Sequence, residues 1–299
     1  TLDKEINEDL SNFNDSSIVL PLGEVKITRK IKSLLIVFRT NTSVEIWDQN
    51  KKRLFEYPKI EYATRSLNSL IKSIKFLRQK LPEIKIELII IDDHSISENL
   101  EKIKKISEQE KNSKIVSLNH DKYKSIILEQ KSIETFSNLA SLMCSFEVAK
   151  KQGEDLVLFV EDDYLHFETM LEEMISSFQR ISSQLRKDLF MCPSDYPYLY
   201  MGNEKTNILI GNKRHWRTID KTLCTFLTSK TLINKYWDNF KKTCEKRHDP
   251  FEKYLNEIYL EEICISPIKS LSLHLTNINS SYGLSPFIDY KELWEENRF

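Results

Sequence analysis

Apolar and polar residues follow one another along this chain in blocks whose period switches between strand and helix. Leu34–Phe38 is a continuous apolar run that stops at Arg39, Thr40 and Asn41. A short run bounded by polar residues predicts a buried strand. Residues 42–62 mix charges and aromatics and predict a long loop or small insert. Leu67, Leu70, Ile71, Ile74 and Leu77 then recur at helical spacing, which predicts an amphipathic helix over 64–80, blocked by Pro82. Ile86–Ile91 predicts a second strand and 97–111 a charged helix; Lys114–Leu118 predicts a third strand and 132–151 the next helix. Leu156–Val160 predicts a fourth strand, followed by a helix over 167–186.

Four strand–helix alternations predict an α/β fold, with a mostly parallel sheet covered by helices on both faces. In such sheets ligands sit beyond the carboxyl ends of the strands. The second half is less regular, with apolar runs near 188–192, 222–228 and 263–275. The reading is therefore an N-terminal extension at 1–30, a regular half at 31–195 and an irregular half of the same domain at 196–299.

Composition narrows the function classes. The chain has 299 residues, 44 Lys and Arg against 45 Asp and Glu, and a net charge of -1. That balance argues against a generic nucleic-acid binder. Neither a G-x-x-x-x-G-K-[ST] nor a G-x-G-x-x-G occurs, so the P-loop and the usual dinucleotide fingerprint are missing. The five cysteines are scattered with no C-x-x-C spacing, which fits a reducing, cytoplasmic setting and reads as core filling. Cys192 falls near the crevice, but no histidine at a nucleophile's spacing marks it as catalytic. No apolar run is long enough to span a bilayer, and no signal peptide is visible, although a chain beginning with Thr leaves a removed leader open.

The most informative feature is positional. Asp92-Asp93 and Glu161-Asp162-Asp163 each close an apolar strand at its carboxyl end, so in a parallel sheet both clusters face one crevice. Consecutive acids repel unless a cation or basic side chains offset them. Hard oxygen ligands of this kind suit Mg2+ or Mn2+, bound through a few carboxylates and substrate phosphates. The plain alternative is solvated turn residues that cap the next helix.

An apolar strand ending in DDHS (92–95), followed by a later one ending in EDDY (161–164), resembles the nucleotide-sugar glycosyltransferases of the GT-A fold. It is most similar to their family-2-like inverting group. The resemblance covers about residues 31–195 and implies a Rossmann-like sheet and a metal-dependent transferase. It implies that Arg39, Thr40 and Asn41 border the nucleotide and that Asp92 or Asp93 bonds the base or ribose. Glu161 and Asp163 match the metal-binding acids of the D-x-D pattern, with Asp162 on the ribose or sugar. Two departures stand out: His94 occupies a position where the family often has Gly, and 119–131 lengthens the gap between the motifs around His120–Lys124.

The resemblance further implies a base at the start of a late helix. Asp249, in RHDPFEKY, matches that place, and Asp-Pro also opens a helix on structural grounds alone; Glu252, one turn on, is the second candidate. A late histidine completing the metal site is matched by His274, with His215 competing. Lys213–Arg217 is a compact basic and aromatic cluster suited to a diphosphate or acceptor, with Arg217 placed on the donor, and Tyr196, Tyr198 and Tyr200 offer faces for sugar rings. The implied partners are a UDP- or GDP-sugar donor and a glycan or lipid-linked acceptor, the latter keeping peripheral membrane association open. Two rivals stand beside this reading. A sugar-nucleotide nucleotidyltransferase would carry a Gly-rich loop where residues 39–53 have no Gly; an inactive nucleotide-sugar-binding scaffold would have no use for the acidic cluster.

Overall fold

In the computed structural model, which describes residues 25–43, 53–129, 132–202, 205–276 and 284–299, β1 (Ser33–Thr40) runs through the interior of the sheet. Residues 1–24 of the expected extension and 44–52 of the expected insert lie outside the described residues. β1 is flanked in parallel by β2 (Lys85–Asp92) and β4 (Leu156–Glu161), and β2 pairs in parallel with β3 (Ser113–Ser117). The connections carry α1 (Lys59–Lys80), α2 (Ser97–Ser107) and α3 (Ile133–Gln152). A continuous apolar run forms β1 because both faces are covered. Leu34, Ile36 and Phe38 join the core under α1, α2 and α4 (Met170–Leu185), while Leu35 and Val37 join the core under α3.

The second half extends the sheet with β6 (Phe190–Met191), β7 (Ile208–Ile210), β8 (His215–Ile219), β9 (Phe226–Ser229) and β10 (Cys264–Pro267). The nine strands lie in the order β3-β2-β1-β4-β9-β6-β10-β8-β7. β9 is antiparallel to both β4 and β6, and β8 to both β10 and β7. Two short helices, α5 (Lys230–Lys235) and α6 (Trp237–Glu245), then α7 (Lys253–Ile258), cover the α3 face. This is a Rossmann-like GT-A arrangement with an irregular C-terminal half.

Three details depart from the sequence expectations. α1 begins at Lys59, five residues before the expected 64, because Ile60, Tyr62 and Ala63 are buried and extend its apolar face. A two-stranded sheet pairs β5 (Tyr164–His166) with β11 (Ser272–His274), elements of three residues each, β11 lying in the apolar run over 263–275 and β5 unanticipated. Asp249-Pro250 does not open a helix: a turn closed by Lys253 N–H donating to the Pro250 carbonyl (3.1 Å) precedes α7, whose cap position is Glu252. The C-terminal α8 (Tyr290–Glu296) packs on α1, with Trp294 only 1% exposed beneath Phe55 and the Arg65 guanidinium. All five cysteines are buried and free.

Candidate active site at the carboxyl edge of the sheet

Strand register sets the site. Thr40 lies opposite Asp92, and Arg39 opposite Glu161, so the ends of β1, β2 and β4 finish level. The three acids after β4 then diverge, each toward its own partners. The Arg39 guanidinium donates to Glu161 Oε1 (2.5 Å) and to Asn138 Oδ1 (2.6 Å). Burial opposes the Arg39 charge, but Glu161 together with Cys224, Asp162 and Asp163 outweighs it and holds the guanidinium above its ordinary value. Asp162 Oδ2 accepts from the Thr40 hydroxyl (2.8 Å) and the Asn41 N–H (3.2 Å), while Oδ1 is paired with the Lys59 ammonium.

Asp163 faces the two-stranded sheet. The β5–β11 register sets His274 opposite Tyr164, whose ring stacks on the imidazole at 4.6 Å. His274 Nε2 lies 3.3 Å from Asp163 Oδ2, and the Thr276 hydroxyl donates to that oxygen at 2.8 Å. Burial pushes the Asp163 carboxyl up, but His274, Lys59 and Thr276 more than offset this and hold it well below the ordinary range. Asp163 Oδ1 and His274 Nδ1 are buried polar atoms with no hydrogen-bond partner among the described residues. Such orphaned atoms are costly unless a ligand satisfies them. A carboxylate oxygen and an imidazole nitrogen are both atom types that bind divalent cations. Glu161 is not brought into a common ligand group with them.

The β2 end is organised differently. Asp92 is buried; Oδ2 accepts from the Ser95 N–H (3.3 Å), Oδ1 has no partner among the described residues, and burial pushes its carboxyl up. Asp93 is saturated: Oδ1 faces His94 Nδ1 (2.8 Å) and His120 Nε2 (2.7 Å), and Oδ2 accepts from Asn41 Nδ2 (3.1 Å) and the Ser137 hydroxyl. His94, standing where the resembled family often has Gly, has φ 57°, in the left-handed region that costs a residue with a β-carbon about 1–2 kcal/mol. Asp93, His94 and His120 form a cluster able to coordinate a metal ion, their ligand atoms all within 4.8 Å of one another. Among the described residues it is the only group of three such side chains.

The remaining candidates are dispersed. Arg217, on β8, is committed to a buried pair with Asp195 (2.7 Å) and stacks over Tyr200 at 3.8 Å, while Tyr200 also donates to Asp195 (2.7 Å). His215 and Asp249 are exposed. Glu252 is 8% exposed, and together with Glu161 and Arg39 it acts electrostatically on Cys224, whose thiol is raised first by burial. Burial likewise pushes the Cys192 thiol up to about 11, which suits packing rather than nucleophilic attack. Sequence reasoning missed Lys59, Ser137 and Asn138 as partners of the acids; its one usable signal was the lengthened 119–131 gap, which contains His120.

No family model and no curated protein matches the chain. Solved structures do. The galactosyltransferase LgtC, in complex with donor and acceptor sugar analogues, is 12% identical over 75% of this chain and 70% of its own, with a TM-score of 0.38. UDP-glucose pyrophosphorylase complexed with UDP-glucose is 11% identical over 89% of this chain and 97% of its own (TM-score 0.43). Glucosyl-3-phosphoglycerate synthase from Mycobacterium tuberculosis, with Mg2+ and UDP, is 11% identical over 67% and 57% (TM-score 0.34). Likenesses this distant assign no substrate and no residue role. The strand order and level carboxyl edge described above are this chain's own, and they make its fold GT-A-like.

Proposed function

We propose that this protein is a metal-dependent glycosyltransferase that moves a sugar from a UDP- or GDP-linked donor to a hydroxyl of a glycan or lipid-linked acceptor. The observation that carries the reading is the pair of orphaned, buried atoms of ligand type, Asp163 Oδ1 and His274 Nδ1, beyond the carboxyl end of β4. Asp163 and His274 would hold Mn2+ or Mg2+; when bound there the ion supplies charge neutralisation at the diphosphate leaving group. Glu161, which matches the first acid of the metal motif, serves in this reading to hold Arg39 toward the donor.

Asn41 and Thr40 border the nucleotide, and the bare Asp92 Oδ1 supports a role in accepting a donor hydrogen from base or ribose. Asp162 orients Thr40 and Lys59, leaving the ammonium beside the donor phosphates or sugar. The acceptor hydroxyl gives its proton to a carboxylate as its oxygen attacks the sugar carbon and the sugar–phosphate bond breaks, the electron pair leaving with the nucleoside diphosphate. Glu252 is the better-supported base, because it is buried and acts electrostatically on Cys224 as Glu161 does, whereas Asp249 is exposed four residues before α7. Arg217 enters as a donor contact only if it leaves Asp195.

The test is thermal melting with UDP, GDP, ADP and NAD, each with and without Mn2+, followed by donor-sugar hydrolysis. A ligand that binds only the folded chain raises its melting temperature. A Mn2+-dependent rise with UDP or GDP, abolished in Asp163→Asn, is expected. No rise with any nucleoside diphosphate at millimolar concentration overturns the reading. Release of nucleoside triphosphate from a sugar nucleotide and pyrophosphate would identify a nucleotidyltransferase instead.

A further inference from the structure

We infer that Asp93, His94 and His120 form a second metal site, separate from the one proposed at Asp163, and that it takes a borderline ion of the zinc class rather than Mg2+ or Mn2+. The donor set decides the class. Two imidazole nitrogens and one carboxylate oxygen match zinc, whereas Mg2+ is bound through oxygen and water.

The site is built on its inner side. Asp93 is 2% exposed at its side chain, and its Oδ2 is tied down by Asn41 and Ser137, so Oδ1 is aimed at both rings. Outer hydrogen bonds of this kind orient a carboxylate ligand. His120 is steadied by an edge contact with Phe136 at 5.5 Å, and the left-handed backbone at His94 turns its imidazole back over Asp93. The two rings lie 4.6 Å apart, with Nδ1 of His94 and Nε2 of His120 facing the same oxygen.

In the metal-free protein these nitrogens donate to Asp93. A neutral imidazole moves its proton to the other ring nitrogen, His94 to Nε2 and His120 to Nδ1, and so presents a lone pair to the ion. The outer side is open: the His94 side chain is 64% exposed and that of His120 26% exposed, so the ion enters from solvent and a fourth position is left for water. The ligands come from the turn after β2 and from the segment after β3, so the ion clips together two segments separated in the chain by α2 and β3. That clip lies next to Asp92 and steadies the turn carrying it.

The experiment uses the full chain stripped with chelator. Zn2+ is titrated while melting temperature and bound metal per chain are measured, and Co2+ is added separately to read its visible absorption. The expected result is one Zn2+ per chain at micromolar concentration, a rise in melting temperature that Mg2+ does not reproduce, and the Co2+ bands of a four-coordinate site. His94→Gly, which suits the left-handed backbone, and His120→Gln should each weaken zinc binding by about 100-fold or more. His274→Gln should leave it unchanged, which separates this site from the Asp163 pair. No zinc-dependent shift, binding only at millimolar concentration, or a shift retained in both His94→Gly and His120→Gln overturns the assignment.

Discussion

The acids after β4 and the acids after β2 look alike in sequence and behave oppositely in the fold. Glu161, Asp162 and Asp163 are matched by separate basic partners from three elements: Arg39 on β1, Lys59 on α1 and His274 on β11. Asp92 and Asp93 sit side by side with no Lys or Arg paired to them in the ion pairs of the described residues; Asp93 gathers two histidines and two further hydrogen bonds, while Asp92 keeps a bare oxygen. Successive side chains leaving a strand point in different directions, so a run of acids is not one site. Repulsion within the β4 cluster is relieved by divergence and pairing, whereas at β2, where both acids are equally buried, it is relieved by hydrogen bonding that falls mainly on Asp93.

Four substitutions sharpen or break that contrast, taken from the largest effect. Arg39→Met removes the cation from a half-buried, hydrogen-bonded pair and should lower unfolding free energy by up to about 3 kcal/mol, with Arg39→Met/Glu161→Gln recovering most of it; chemical denaturation measures both. If the single variant is as stable as the parent, Glu161 does not need its cation and the pairing account fails. Asp163→Asn should reduce metal-dependent donor turnover by about 100-fold or more while leaving the fold cooperative. Activity retained in this variant would move the metal elsewhere on the edge.

Asp92→Asn probes the other side of the comparison. The buried carboxyl is pushed up and its Oδ1 is unpartnered, so a neutral amide should raise stability at neutral pH by about 1 kcal/mol and weaken nucleotide-dependent stabilisation. A loss of stability would show that the charge is satisfied in the free protein. The smallest effect belongs to His94→Gly without metal. Relief of the left-handed backbone is offset by the lost bond to Asp93 and the added freedom of the unfolded chain, so stability should change by less than about 0.5 kcal/mol. A large drop would make His94 the brace of the β2 turn.

Legibility followed length and period. β1, β2 and β4 and their helices were readable because a buried parallel strand needs a continuous apolar run and a covering helix needs its stripe. The meeting of Asp163 with His274 was implied by the family resemblance but not readable from period or spacing, because it depends on two three-residue strands pairing across more than a hundred positions. The base candidates separate for a similar reason: along the chain Asp249 stands ahead of Glu252, and only packing of the turn before α7 buries Glu252 and exposes Asp249. Arg217 looked like a free cation beside a Trp; Asp195 and Tyr200, brought to it by β8 and the 195–200 segment, occupy it.

By itself the sequence determined the alternation of elements, the burial of both sheet faces and the presence of carboxylates at the ends of β2 and β4. Those are local consequences of hydrophobic period and of where each apolar run stops. Tertiary structure alone decided which cation faces which acid, that His120 returns to Asp93, and which polar atoms are left buried and bare. Charge pairing and orphaned atoms depend on distances between segments far apart in the chain, and no spacing along the backbone encodes them.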